Sequence, residues 1–192
     1  SQELPDLQFK GSNGCIGAFC RATGMEVLSI DLFGPLPTSE EGFRWIYIIG
    51  DYAPKCVDLF ALTKATAEKC AWTLINEVFL RYGVPRRIIS DNGTQFVSTV
   101  LQKALYCLGV TQSFTPTYHP EANPIERKNR DMKTLLAIQI GKNPHTQWPD
   151  KLPAIRFAMN TAICSSTGFT PAYLMFGREP RTIGDVTQDL RG

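Results

Sequence analysis

A switch in hydrophobic rhythm near residue 66 limits the possible architectures of this chain more than any other feature. Before it, three short runs rich in β-branched and aromatic residues cover positions 27–33, 45–49 and 56–62. Turn residues bound each run, with Gly34-Pro35 ending the first, so a three-stranded antiparallel meander is expected. After the switch, Ala67, Cys70, Ala71, Leu74, Val78 and Tyr82 recur at helical spacing. Thr66 can cap that helix, Gly83 can stop it, and Pro85 closes the exit.

The alternation continues downstream. Residues 86–90 read as a short strand ending at Asp91. Residues 97–108 read as a helix with Val97, Val100, Leu101, Ala104, Leu105 and Leu108 in register, and 111–115 as another strand. The three prolines in 116–124 exclude regular structure there. A long helix is expected from Asn123 to about Ile140, and another over 148–162, interrupted or begun at Pro153. Three strands, then helix, strand, helix, strand and further helices make an α/β layer fold with a mixed sheet covered by helices. Trp72, Trp148 and Phe157 read as core or dimer contacts.

Composition narrows the function. With 43% apolar residues the chain can bury a core, and a net charge of +2 means that any nucleic-acid footprint must be local. No signal segment and no apolar run of membrane-spanning length occurs, so no membrane is expected. The six cysteines are scattered, as for reduced thiols of an intracellular protein. Cys15 and Cys20 could begin a zinc site, but no His and no second Cys pair accompanies them. Two histidines, His119 and His145, and no Gly-x-Ser-x-Gly leave hydrolytic triads poorly supported.

Three carboxylates remain as candidates, each with a plain structural explanation. Asp31 stands in an otherwise apolar strand, where it needs pairing or a metal, unless alternation turns Ser29, Asp31 and Phe33 to solvent. Asp91 ends a strand, where sheets offer ligands to a crevice, but Asp-Asn-Gly is also turn chemistry. Glu126 lies three residues after Asn123, the spacing of a capping box, and equally near the mouth of the sheet. Together, two strand aspartates and a helix glutamate could converge on Mg²⁺, which prefers hard oxygen ligands.

Longer motifs surround these acids. Ser29-Ile30-Asp31-Leu32-Phe33-Gly34-Pro35-Leu36-Pro37 resembles the opening strand of integrases from gypsy-type LTR retrotransposons and retroviruses. Tyr82-Gly83-Val84-Pro85 through Ile89-Ser90-Asp91-Asn92-Gly93-Thr94-Gln95-Phe96 resembles their second acidic motif, and Tyr118-His119-Pro120 through Ile125-Glu126-Arg127 the third. Asn160-Thr161 and the segment from Ser166 to Glu179 are similar as well. The likeness covers about residues 27 to 181, so residues 25–182 read as the core, 1–24 as an arm or upstream remnant, and 183–192 as a tail.

The resemblance implies an RNase H-like catalytic core of the DDE class, a five-stranded mixed sheet flanked by helices. Asp31, Asp91 and Glu126 would be its catalytic metal ligands, holding two Mg²⁺ or Mn²⁺ ions. It implies 3′-end processing of DNA by water, then attack of the freed 3′ hydroxyl on a target phosphodiester. Double-stranded DNA would be the partner, a homodimer or larger oligomer the working form, and the nucleus the place of action. Asn129, Arg130 and Lys133 follow Glu126 at helical spacing and match positions that contact the element's DNA end; Tyr118 and His119 could stack on or bond to it. Arg81, Arg86 and Arg87 read as surface charge. The spacing from Asp91 to Glu126 is one residue shorter than is common in retroviral members, and neither a His-His-Cys-Cys zinc module nor a C-terminal DNA-binding domain is recognisable. Other outcomes are a domesticated DNA-binding or assembly module and a nuclease that only cleaves.

Overall fold

A computed structural model describes residues 25–115, 133–134, 137–138 and 147–182. Strands β1 (Val27–Phe33), β2 (Trp45–Asp51) and β3 (Val57–Leu62) form the expected meander, β1 antiparallel to β2 and β2 to β3. Strands β4 (Arg87–Ser90) and β5 (Thr111–Phe114) then join on the other side of β1, both in parallel pairing. The sheet order is β3-β2-β1-β4-β5. The chain therefore grows outward one way through β3, crosses back, and grows the other way through β5. Strand order reverses between β1 and β4, where open α/β sheets form a crevice at their carboxyl ends.

Both faces of the sheet are covered, so β1 and β2 are buried nearly throughout. One face gathers Leu28, Ile30, Tyr47, Ile49 and Ile88 under helix α1 (Ala67–Thr73) and helix α2 (Thr99–Cys107). The other gathers Ile46, Ile48, Val57 and Leu59 against Trp148 and Leu152, at the start of helix α3 (Leu152–Thr161). Removing such aliphatic side chains from water stabilises a fold by roughly 1.5–3 kcal/mol each.

Local chemistry explains most element boundaries. Thr66 caps α1 by accepting from the Lys69 N–H, and Ser98 caps α2 by accepting from the Val100 N–H. Gly34, between β1 and β2, has no room for a side chain: a Cβ would meet the Arg44 carbonyl at 2.7 Å. A 3₁₀ turn over Pro149–Lys151 leads into α3, with Pro153 in its first turn. Thr170 caps a short helix α4 (Pro171–Phe176), which Gly177 ends in the left-handed conformation. No helix among the described residues is long and apolar enough to cross a membrane.

Several sequence expectations need correction. Beyond α1 the helix widens into a π-helical segment, Leu74–Phe79, before a last α-turn, Leu80–Tyr82. Wider turns rotate the residues beyond them about the helix axis. Phe79 enters the core and Tyr82 is 37% exposed, the reverse of what a uniform period predicts. Helix α2 begins after Ser98, so Val97 lies outside it. Val97 and Val100 are exposed, and Phe96, Leu101 and Leu105 do the packing. Of the three aromatics expected to be core or dimer contacts, Trp148 is core, while Trp72 and Phe157 are exposed in the single chain, which leaves them the dimer alternative; Lys69 lies over the Trp72 ring. Arg81 and Arg86 are surface charges, paired with Glu77 and Glu26.

Candidate active site

Asp31 does not face water. It is 7% exposed, on the sheet face of its cross-strand neighbour Ile48, which α3 and Trp148 help to cover. The alternation that could have turned it outward fails because this central strand is covered on both sides. One carboxylate oxygen accepts from the Leu32 N–H at 2.7 Å. The other receives the Lys133 ammonium at 2.8 Å.

Asp91 follows β4 directly. Because Ile30 pairs with Ser90 in parallel register, the next residues along, Asp31 and Asp91, are neighbours at the same carboxyl end of the sheet. They stand at the reversal of strand order. The turn reading of Asp91 holds: its Oδ1 accepts from the Gly93 N–H at 2.9 Å, and its side chain is exposed just past the carboxyl end of β4. Gly93 allows this approach, since a Cβ there would lie 2.9 Å from the same carboxylate oxygen and 2.3 Å from the Gln95 amide.

Burial pushes the Asp31 carboxyl above its ordinary value, and the negative charge of Asp91 adds to that push. Lys133 and the Leu32 N–H pull the other way without cancelling the burial. The pair is thus a concentration of negative charge, partly desolvated, with one cation already against it. Hard carboxylate oxygens so placed suit a divalent cation with its own waters, so the residues fit the Mg²⁺ or Mn²⁺ that the resemblance implies. Among the described residues, no group of three or more His, Cys, Asp or Glu side chains gathers to hold a metal. Glu126, Tyr118, His119, Asn129 and Arg130 lie outside the described residues. Lys133 lies in helical conformation, half-buried against Asp31.

Sequence reasoning missed the side chains that steady the Asp91 loop. Gln112 on β5 donates to the Phe96 carbonyl at 2.9 Å and to the Ser90 hydroxyl at 3.3 Å, and Asn92 reaches the Thr115 carbonyl. Asn-Gly after Asp91 signalled the turn, but nothing local in the β5 sequence signals a brace.

Known proteins share this fold. The fold matches the HTLV-2 integrase catalytic core domain solved in complex with magnesium, with a TM-score of 0.62 at 16% identity, over 80% of this chain and 98% of that one. The BIV integrase catalytic core domain matches with a TM-score of 0.60 at 20% identity, over 86% of this chain and 99% of that one. A mixed sheet of this order with flanking helices is the RNase H-like fold of retroviral integrase cores. At the level of sequence, the Integrase core domain profile matches residues 23–120, and the chain belongs to that family. Gypsy retrotransposon integrase-like protein 1 of Rattus norvegicus is 29% identical over 154 residues, 80% of this chain and 29% of that protein. The Pro-Pol polyprotein of simian foamy virus type 3 is 32% identical over 154 residues, 80% of this chain and 13% of the polyprotein. The chain thus spans less than a third of either relative.

Proposed function

We propose that this chain carries the DNA-joining core of a retroelement integrase, a divalent-metal-dependent polynucleotidyl transferase acting on double-stranded DNA. The observation that supports it most is the placement of Asp31 and Asp91 side by side at the reversal of strand order. In this reading Asp31, Asp91 and Glu126 hold two Mg²⁺ or Mn²⁺ ions. When bound, such ions lower the cost of forming an attacking oxygen nucleophile and of charge on the leaving oxygen in an in-line displacement.

The chain's own residues do the positioning. β1 and β4 fix two carboxylates at one end of a rigid sheet, and Gly93 with Gln112 sets the loop behind Asp91. Asn129, Arg130 and Lys133 bind the backbone of the DNA end, with Tyr118 and His119 against its terminal bases. Water attacks a phosphodiester near the DNA end first, breaking its bond to the 3′ oxygen, which leaves as a free 3′ hydroxyl while the terminal nucleotides depart with the phosphate. That hydroxyl then attacks a target phosphodiester and displaces the target strand's own 3′ oxygen, with no covalent protein intermediate. The working form is a dimer or larger oligomer, acting in the nucleus.

An assay with labelled duplex ends and target DNA in Mg²⁺ or Mn²⁺ tests this reading. Joined products are expected. Cleaved products alone would make the chain a nuclease of the same fold, and neither product would leave a DNA-binding or assembly module.

A further inference from the structure

Asp31 presents two oxygens, and one is occupied by its own Leu32 N–H. The other, Oδ2, lies 2.8 Å from the Lys133 ammonium. The Asp31 side chain is 11% exposed and that of Lys133 34%, so the carboxylate is screened from water while the lysine keeps a path to it. A divalent ion held by Asp31 would need this oxygen. It would then compete with the ammonium for the same lone pairs and, as a like charge, repel it within a few ångströms.

We propose that Lys133 is the resident counter-cation of the metal site, holding Asp31 until a divalent ion takes the carboxylate and releasing its ammonium to a DNA phosphate. The inference rests on the metal reading of Asp31 and Asp91. It turns two separate roles, metal ligation and DNA contact, into a single exchange. The lysine stem has four rotatable carbons and a point-charge head, so its ammonium can change partner without moving the backbone. Because coupling between two ligands is reciprocal, metal strengthens the hold on DNA through Lys133, and DNA strengthens the hold on metal by drawing Lys133 away. Without a divalent ion, Lys133 neutralises part of the charge shared by Asp31 and Asp91 and takes no share in phosphate binding.

Two measurements on the whole chain test this. The first is Mn²⁺ affinity without DNA, read from the free-ion EPR signal. Lys133→Met should bind Mn²⁺ roughly fivefold more tightly than the parent, as expected on removing a competing ion pair of this exposure. Lys133→Arg keeps a competing cation and should stay within about twofold of the parent. Lys103→Met removes the same charge from α2, on the opposite face of the sheet, and should also stay within about twofold. The second is the salt dependence of duplex binding. With Mn²⁺ the parent should show a slope steeper by about one than Lys133→Met, and without Mn²⁺ the two slopes should coincide.

Equal Mn²⁺ affinity of parent and Lys133→Met would overturn the exchange while leaving the metal site standing. Equal tightening by Lys103→Met would reduce it to net charge, and a slope difference independent of Mn²⁺ would make Lys133 a permanent phosphate contact. Failure of both parent and Lys133→Met to bind Mn²⁺ saturably would remove the metal reading itself, and the exchange with it.

Discussion

Asp31 and Asp58 are two carboxylates on one sheet, both lifted by burial above their ordinary value, Asp31 with Lys133 as its cation and Asp58 with Arg156 and, further off, Arg81. Their surroundings differ in the respect that matters. Asp58 sits on edge strand β3, paired at 3.1 Å with Arg156 of α3. That helix is fastened to the same strand, because the Asn160 amide accepts from the Val57 N–H and donates to the Val57 carbonyl, both at 2.8 Å. The amide stands in for a neighbouring strand and closes part of the edge. Asp31 has the central strand, a second carboxylate beside it, and a lysine as its cation. Asp58, outnumbered by two arginines to the one acid Glu77 and held against a fastened helix, is part of the scaffold. Asp31, beside a second acid at the reversal of strand order, is the one on which the proposed exchange of cations rests.

The largest expected effect separates the two directly. If Asp91 is the proposed metal ligand, Asp91→Asn should lower DNA joining by on the order of a thousandfold. The fold should survive, since the asparagine oxygen can still accept from the Gly93 N–H. Asp58→Asn should leave joining by the folded protein unchanged. If both variants joined DNA equally well, the division between scaffold acid and site acid would fail.

Next in size is the fastening of α3. Asn160→Ala loses both bonds to Val57 and leaves edge-strand groups without that partner, at a cost of about 1–3 kcal/mol in urea unfolding. No measurable cost would mean that water or another side chain replaces the amide, and that α3 is held by packing alone.

The smallest effect is in the pH dependence. Burial raises Asp58 above 3.8, so the folded chain holds this proton more tightly than the unfolded chain. Its contribution to stability is therefore greatest below 3.8 and is lost as pH rises through the folded value. Relative to the parent, Asp58→Asn should gain stability over that interval, seen as a rising difference in urea midpoints. A difference that fell with pH would mean that Arg156 outweighs burial.

Much of this was legible in the residues, and the gaps have physical causes. The meander, the succession of strands and helices and the Thr66 cap follow from turn residues and periodicity, which are local. The burial of Asp31 was not decided by its strand, because alternation describes a sheet with one wet face and β1 has none. Tyr82 and Phe79 exchanged places because a π-helical segment changes the period inside a helix, and six residues of ordinary helix formers do not announce it. Val97 was placed on a helix face that Ser98 had already excluded by capping. The acids at positions 31 and 91 stood out through their motifs, and β1 and β4 set them side by side. Lys133 on Asp31, Arg156 on Asp58 and Asn160 on Val57 are contacts between segments far apart in sequence, and no local pattern encodes them.

The most direct test of the central claim is an anomalous difference map from crystals soaked in Mn²⁺. The expected result is density for metal between the carboxylates of Asp31 and Asp91, with Glu126 completing the shell and Lys133 withdrawn from Asp31. Metal elsewhere on the chain, or none between these two acids at saturating Mn²⁺, would contradict it.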